Sequence, residues 1–124
     1  MTIKDYFSST KGHGVFSTAD SNGKVDSAIY SRPHVMDDGA LAFIMRDRLT
    51  HLNLTSNPRA VYLFIEEGKG YKGKRLYLTK IKEEENSPLI GELQRRENDA
   101  LSGENRYLVF FKIDKELPLV GSGE

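Results

Sequence analysis

Three arginines near predicted strand and helix ends are the side chains best suited to chemistry in this sequence. Arg32 lies on a predicted half-buried strand, and Arg46 ends a predicted buried strand. Arg48 and Thr50 fall in the first turn of a predicted short helix, where backbone N–H groups without intrahelical partners attract anions. The forked guanidinium group matches the geometry of phosphate oxygens. These residues therefore predict a phosphate site.

A structural role explains the same arginines equally well. Arg32 and Arg46 can instead form ion pairs with Asp26, Asp37 or Asp47. Asp47 also counts against phosphate, because its negative charge lies at the same helix end. Residue spacing alone leaves both interpretations open.

Other kinds of reactive site find little support in the sequence. Nothing matches the G-x-S-x-G turn that exposes a nucleophilic serine. The three histidines, His13, His34 and His51, lack the i, i+4 spacing of a helical metal site. Residues 68–73 form a G-x-G-x-x-G run, but it precedes a predicted strand instead of following one. We interpret that run as a flexible loop and predict no metal site.

The composition narrows the classes of partner. The chain has 124 residues and 14.0 kDa, with 18 basic and 18 acidic side chains. A balanced charge argues against nucleic acid as a partner and against a polybasic membrane anchor. There is no cysteine, no signal-peptide pattern and no apolar run near the roughly 20 residues that span a bilayer. We therefore expect one cytoplasmic domain without membrane contact.

The sequence pattern predicts a mainly β domain. Asn22-Gly23 and residues 37–39 are hairpin turn signals, so three consecutive strands are expected to pair antiparallel. Residues 83–85 are interpreted as a solvated charge run. The sequence predicts a helix within residues 1–11, a barrel over 12–114 and a tail at 115–124. The barrel strands are predicted at 15–19, 24–36, 40–45, 60–65, 75–81 and 106–113. Two further helices are predicted near 49–57 and 87–99.

Six strands with continuous apolar runs favour a closed β-barrel with flanking helices over an open sheet. Strands that are apolar on both faces need cover outside the barrel. The predicted helices cover only part of that surface, so we expect the remainder to form a homodimer interface.

The ordered elements resemble the FMN-binding split-barrel superfamily, and within it small proteins related to pyridoxamine 5′-phosphate oxidase. Four stretches carry the resemblance, and together they are fairly specific. They are residues 14–19 (GVFSTA), 26–32 (DSAIYSR), 38–43 (DGALAF) and 52–61 (LNLTSNPRAV).

The resemblance implies a homodimeric six-stranded barrel that binds FMN in a groove between subunits. A basic residue on the second strand and the segment that enters the first helix between strands would hold the phosphate. Other candidates would contact the flavin ring. The residues implied for the phosphate end are Arg32, Ile44, Met45, Arg46, Arg48, Leu49 and Thr50, and those implied for the ring are Arg75, Tyr71 and Tyr107.

The sequence departs from the family pattern at Thr50, which stands where the oxidases have a phosphate-binding lysine. Arg48 can supply that charge instead. The carboxy-terminal substrate motif of the oxidases has no counterpart here, which argues against pyridoxamine phosphate as the substrate. The resemblance thus implies a flavin-dependent oxidoreductase of a small molecule with no assigned catalytic residue. The alternative is a non-enzymatic binding or sensing barrel that takes haem, a deazaflavin or no cofactor, with one of the histidines as a haem ligand.

Overall fold

The computed structural model describes residues 1–93 and 104–121. Within these residues the chain is mainly β, as predicted, with helices against a single antiparallel sheet. The helices are α1 (Ile3–Ser9), α2 (Leu49–Ser56) and α3 (Leu89–Leu93), and the strands are β1 (Gly12–Ala19), β2 (Val25–Tyr30), β3 (His34–Val35), β4 (Leu41–Arg46), β5 (Arg59–Glu66), β6 (Gly73–Glu85) and β7 (Arg106–Pro118).

The sheet is curled around an aromatic core. Its strand order is β2-β1-β5-β6-β7-β4-β3, so β1 and β4 are separated by three strands. Even so, the ring centroids of Phe16 on β1 and Phe43 on β4 are only 4.9 Å apart. Phe111 on β7 and Tyr62 on β5 complete this cluster, and all four side chains are almost fully buried. The concave face of the sheet therefore encloses the core.

Both predicted hairpin turns are confirmed. Gly23, with φ +82°, lies in the turn between β1 and β2, and its N–H donates to the Asp20 carbonyl at 3.1 Å. Gly39, with φ +89°, lies in the turn between β3 and β4, and its N–H donates to the Met36 carbonyl at 3.0 Å. Glycine is favoured at both positions because it adopts positive φ without steric cost.

The strand predicted over residues 24–36 is divided in the structure. β2 ends at Tyr30, and β3 takes up only His34–Val35. Two features between them explain the break: Pro33 has no N–H for a sheet ladder, and Arg32 turns its guanidinium toward α1. The predicted six strands consequently become seven within the described residues.

Two strands extend well beyond their predicted carboxy-terminal ends, and β1 begins three residues before its predicted start. Residues 83–85, predicted as a solvated charge run, belong to β6 and pair with Tyr107, Leu108 and Val109 of β7. β7 itself continues to Pro118, into the segment predicted as a tail from residue 115. The two strands pair along nearly their whole length, with register shifts in the middle that let the ribbon bend. Residues 83–85 are therefore part of a strand because they pair with β7, in spite of their high negative charge.

The helices match their predicted positions where the structure describes them. α1 begins with a capping box, in which Thr2 Oγ1 accepts a hydrogen bond from the Asp5 N–H at 3.1 Å. α2 ends at Asn57, just before Pro58. α3 covers the first part of the helix predicted near 87–99, and the rest of that prediction lies outside the described residues.

α3 supplies part of the expected cover outside the barrel. Its buried Ile90 packs with Leu108 and Phe110 of β7 and Ala42 of β4 in a second apolar cluster. β4 and β7 are thus apolar on both faces because one face contacts the aromatic core and the other contacts α3.

A pair of glycine substitutions tests the close packing around β1. A Cβ at Gly14 would lie 1.9 Å from the buried Tyr62 hydroxyl, whereas a Cβ at Gly91 in α3 would meet nothing within 4 Å. We expect Gly14→Ala to lower the free energy of unfolding by about 1–3 kcal/mol or more. Gly91→Ala should instead raise it by about 0.5–1 kcal/mol. Urea denaturation of both variants measures this, and equal effects would contradict the packing argument.

Candidate functional site

The turn from β4 into α2 leaves the first N–H groups of the helix without a side-chain cap. The chain turns sharply after β4, where the Arg48 N–H donates to the Arg46 carbonyl at 2.8 Å. Arg48 occupies the N-cap position, and among the described residues no side chain caps the helix there. The Asp47 carboxylate lies instead 3.8 Å from Nδ1 of His51. Uncapped N–H groups at a helix start can bind an external anion by donating hydrogen bonds to it.

Three arginines gather at this helix start. Arg46 is the direct partner of Arg106 in the β4–β7 register, so their side chains leave the same face of the sheet. The Glu104 carboxylate connects Arg46 to Arg48, at 3.8 Å from Nη1 of Arg46 and 2.8 Å from Nη2 of Arg48. We call Arg46, Arg48 and Arg106 the arginine cluster.

Arg106 is the member that the sequence analysis missed. Its backbone is held on the other side by Asn86, whose side-chain oxygen accepts from the Arg106 N–H at 2.9 Å. Asn86 itself has φ +52°. The Nη1 of Arg106 is buried and has no hydrogen-bond partner among the described residues. A buried donor of this kind is rare and costly, which makes it a candidate ligand contact.

Thr50 and Tyr30 lie under the helix start, on the barrel side. Thr50 is only 3 % exposed, so the residue at the family's lysine position does not reach solvent. Burial raises the pKa of the Tyr30 phenol, and a hydrogen bond with the Thr50 side chain partly offsets that effect. The charge that the lysine would supply therefore has to come from another residue.

His51 holds α2 against β6 and β7. The imidazole stacks on the Tyr107 ring at 3.8 Å between centroids, and its Nε2 lies 3.0 Å from Oε1 of Glu83. Lys80 donates to the same Glu83 oxygen at 2.7 Å. Tyr107, predicted to contact a flavin ring, thus packs against a buried histidine of its own chain. The network fixes the orientation of the helix that carries Arg48.

The ionisation of Glu83 should make stability depend on pH. Partial burial disfavours the carboxylate, but hydrogen bonds from Lys80 and His51 outweigh it and hold the pKa of Glu83 below its usual value. Because the folded pKa is depressed, Glu83 stabilises the fold above its unfolded pKa of about 4.3 and loses this contribution as the pH falls further. We expect the difference in unfolding free energy between wild type and Glu83→Gln to be larger at pH 7 than at pH 3, by urea denaturation. A constant difference would contradict this role.

Arg32 is engaged by α1. Its Nη1 donates to the carbonyls of Phe7 at 2.8 Å and Thr10 at 3.0 Å, at the carboxy-terminal end of the helix. A cation there complements the helix dipole. Neither contact is one of the aspartate pairs considered from the sequence.

The remaining predicted residues are distributed more widely. Arg75 donates from Nε to the Pro118 carbonyl at 2.9 Å and from Nη2 to the Gly121 carbonyl. It pairs with Leu117, roughly 30 Å along β7 from Tyr107, and Tyr71 is an exposed loop residue. Within one chain the structure does not bring Arg75 to the arginine cluster. Of the others, Ile44 packs in the second apolar cluster, Met45 is buried in the core and Leu49 is half exposed.

An open groove of about 760 Å³ crosses the sheet at the other end of α2. Its apolar floor is formed by small residues such as Ala19 and Val61. Two acidic and two basic side chains also line it: Asp26, Asp114, Arg59 and Lys115. It is far larger than a water site and suits either a small molecule or a protein surface.

Comparisons with known proteins establish the fold. No protein-family model matches the sequence, and neither does any curated protein sequence. Among solved structures, an FMN-binding protein from Syntrophomonas wolfei superposes with a TM-score of 0.74 at 21% identity, covering 95% of this chain and 84% of that one. The fold is the FMN-binding split barrel.

Two further split barrels resemble this chain. A pyridoxamine 5′-phosphate oxidase-like protein from Lactobacillus delbrueckii has a TM-score of 0.67 at 14% identity, over 91% of this chain and 88% of that one. HutZ, a haem storage protein from Vibrio cholerae, has a TM-score of 0.68 at 16% identity, over 98% and 96%. The split barrel thus occurs in proteins described by different ligands, and fold alone does not select one.

The described part of this split barrel lacks two kinds of feature. In residues 1–93 and 104–121, no helix is long and apolar enough to cross a membrane. In the same residues no group of three or more His, Asp or Glu side chains could hold a metal ion.

Proposed function

We propose that this chain binds FMN with the flavin phosphate at the arginine cluster, and that it acts as a flavin-dependent oxidoreductase of a small molecule. The observation that carries the proposal is the buried Nη1 of Arg106, which lacks a hydrogen-bond partner among the described residues and belongs to the residue paired with Arg46 across the sheet. A phosphate dianion satisfies such a donor and the free helix N–H groups together. The structural similarity to an FMN-binding protein supports the same ligand.

The residues of the cluster fit a phosphate in charge and in donor type. Glu104 contacts the guanidinium groups of Arg46 and Arg48 beside the start of α2, and Arg106 is paired with Arg46 across the sheet. A bound flavin would supply the redox chemistry, while the protein binds and orients it. In this proposal Arg48 and Arg106 donate to the phosphate, and the His51 network keeps α2 in place.

We further propose a homodimer that uses the face carrying the groove. Val25 and Ile29 on this face of edge strand β2 are 83% and 74% exposed, which is unusual for large apolar side chains. The groove also has two acidic and two basic side chains, so two copies related by a twofold axis can pair opposite charges. A second copy would also give the cluster access to Arg75 or Tyr71 of another chain.

The direct test is a titration of cofactor-stripped protein with FMN, followed by flavin fluorescence. We expect saturable binding of about one FMN per chain with a dissociation constant in the micromolar range or below. Sedimentation equilibrium of the same samples should give twice the chain mass of 14.0 kDa. Absence of binding at about 1 mM FMN, where the binding free energy is only about −4 kcal/mol, would refute the proposal.

Haem binding is the alternative that the same protein can test. In the described structure both ring nitrogens of His51 face carboxylates, at 3.0 Å from Glu83 and 3.8 Å from Asp47. Iron ligation by His51 would therefore disrupt the network under α2, so a haem would have to be ligated by His13 or His34. A Soret band on adding haem, together with no FMN binding, would instead favour a binding or storage role.

A further inference from the structure

Glu104 holds a position in the arginine cluster that resembles that of a bound anion. Its Oε1 accepts from Nη2 of Arg48 at 2.8 Å, and its Oε2 lies 3.8 Å from Nη1 of Arg46. The two carboxylate oxygens thus contact two different guanidinium groups. The hydrogen bond from Arg48 and the charges of both arginines hold the pKa of Glu104 below its usual value, so the side chain is an anion at neutral pH.

Glu104 does not provide a hydrogen-bond acceptor for every guanidinium group of the arginine cluster. Arg106 follows it by two residues and pairs with Arg46 across the sheet, yet the buried Nη1 of Arg106 has no hydrogen-bond partner among the described residues. The carboxylate therefore satisfies one side of the cluster and leaves a donor for a further acceptor. The Glu104 side chain is also 36% exposed and held by the surface ends of two arginines, so its displacement is not costly.

We infer that Glu104 is a tethered competitor for the anion site, so that an external anion such as a phosphate monoester binds the arginine cluster only by displacing it. This inference rests on the proposed phosphate site at the start of α2. Glu104 occupies the cluster when no ligand is bound, and a ligand must displace it from Arg46 and Arg48. Arg106 then gains its missing acceptor from the ligand.

The competition follows from charge and tethering. A carboxylate fixed to the same chain acts at an effective concentration in the millimolar range or above, so it lowers the affinity of every external anion by the same factor. A dianion carries twice the charge toward the guanidinium groups and supplies additional acceptor oxygens. A phosphate group therefore displaces Glu104 at a lower concentration than a free carboxylate does.

The test compares the full-length wild type with Glu104→Gln, using inorganic phosphate, acetate and FMN as probes. Glutamine keeps the size of the side chain and removes its charge. We expect Glu104→Gln to bind phosphate and FMN about fivefold tighter or more, because the competing carboxylate charge is removed. The affinity for acetate should rise by the same factor. Isothermal titration calorimetry or amide chemical shifts of residues 46–50 report the binding.

Glu116→Gln is the matched control. Glu116 lies on β7 and forms an ion pair with Lys74 at 2.9 Å, but it is far along the strand from the arginine cluster. Its replacement changes the net charge equally and should leave the affinities for all three probes unchanged. Unaltered or weaker phosphate binding by Glu104→Gln would overturn the inference, because a carboxylate that organises the arginines would give that result.

The outcomes separate this inference from the proposed flavin function. If Glu104→Gln binds phosphate more tightly than wild type and neither protein binds FMN, Glu104 competes for the anion site but the proposed FMN function is wrong. If both proteins bind FMN equally well, the FMN function is supported and the inference about Glu104 is wrong. A gain in phosphate affinity that also occurs in Glu116→Gln would show a general charge effect and overturn the inference.

Discussion

Replacement of Phe16 by alanine is expected to lower the free energy of unfolding by about 3–5 kcal/mol. Phe16 is fully buried, and its ring contacts Tyr30, Phe43, Tyr62 and Phe111 with centroids 4.9–6.1 Å apart. Together with Phe16, these rings come from five strands. The substitution would therefore leave a cavity where the two ends of the curled sheet approach each other. Such a loss is a large fraction of the 5–15 kcal/mol that stabilises a typical domain. Urea denaturation followed by circular dichroism measures it.

Leu52→Ala provides the control for a buried-surface effect. Leu52 is a large apolar residue on α2, but it is 61% exposed, and alanine favours helix. We expect a change within about 0.5 kcal/mol. A similar loss in both variants would mean that the sheet does not close around Phe16.

Arg48→Ala is expected to weaken FMN binding by roughly 10- to 150-fold and riboflavin binding by much less. A charge-assisted hydrogen bond contributes about 1.5–3 kcal/mol, and riboflavin lacks the phosphate that would accept it. Arg48 caps the start of α2 with an extended backbone and no side-chain hydrogen bond to the helix, so alanine should leave the helix intact. Fluorescence titration with both flavins gives the two ratios.

Lys112→Ala controls for the loss of one positive charge. Lys112 is exposed on β7 and has Asp114 as its ion-pair partner at 3.8 Å. It should not change the ratio of FMN to riboflavin affinity. If Arg48→Ala weakens both flavins equally, Arg48 does not bind the phosphate, and the site assignment is wrong.

Local sequence signals predicted most of the fold, because the relevant forces act over a few residues. The Asn22-Gly23 turn and the apolar β4 segment have strong local patterns, and both are confirmed. Strand ends set by distant partners were not predictable. The run Glu83–Glu85 has the local character of solvated charge, but pairing with β7 and hydrogen bonds from Lys80 and His51 place it in a strand.

The candidate site was only partly predictable for the same reason. Arg46 and Arg48 stand out in sequence because they flank the start of a predicted helix, and the structure joins them through Glu104. Arg106 has no such signal, since it opens a strand 60 residues later and reaches the cluster only through the β4–β7 register. The same applies to Thr50, which is buried and forms a hydrogen bond with Tyr30 on the distant strand β2. The roles of these residues as ligand contacts stay predictions.

The pairing of β4 with β7 has a consequence for how the chain acquires this fold. Leu41 and Phe111 are direct partners although 70 residues separate them, and β1 likewise pairs with the distant β5. Such long-range pairs form late, because the entropy of closing a long loop is lost before any contact compensates for it. On the ribosome, Leu41 and Phe43 therefore lack their partners until β7 has left the exit tunnel. The arginine cluster is assembled by that same final pairing, so the proposed ligand site is complete only when folding is nearly complete.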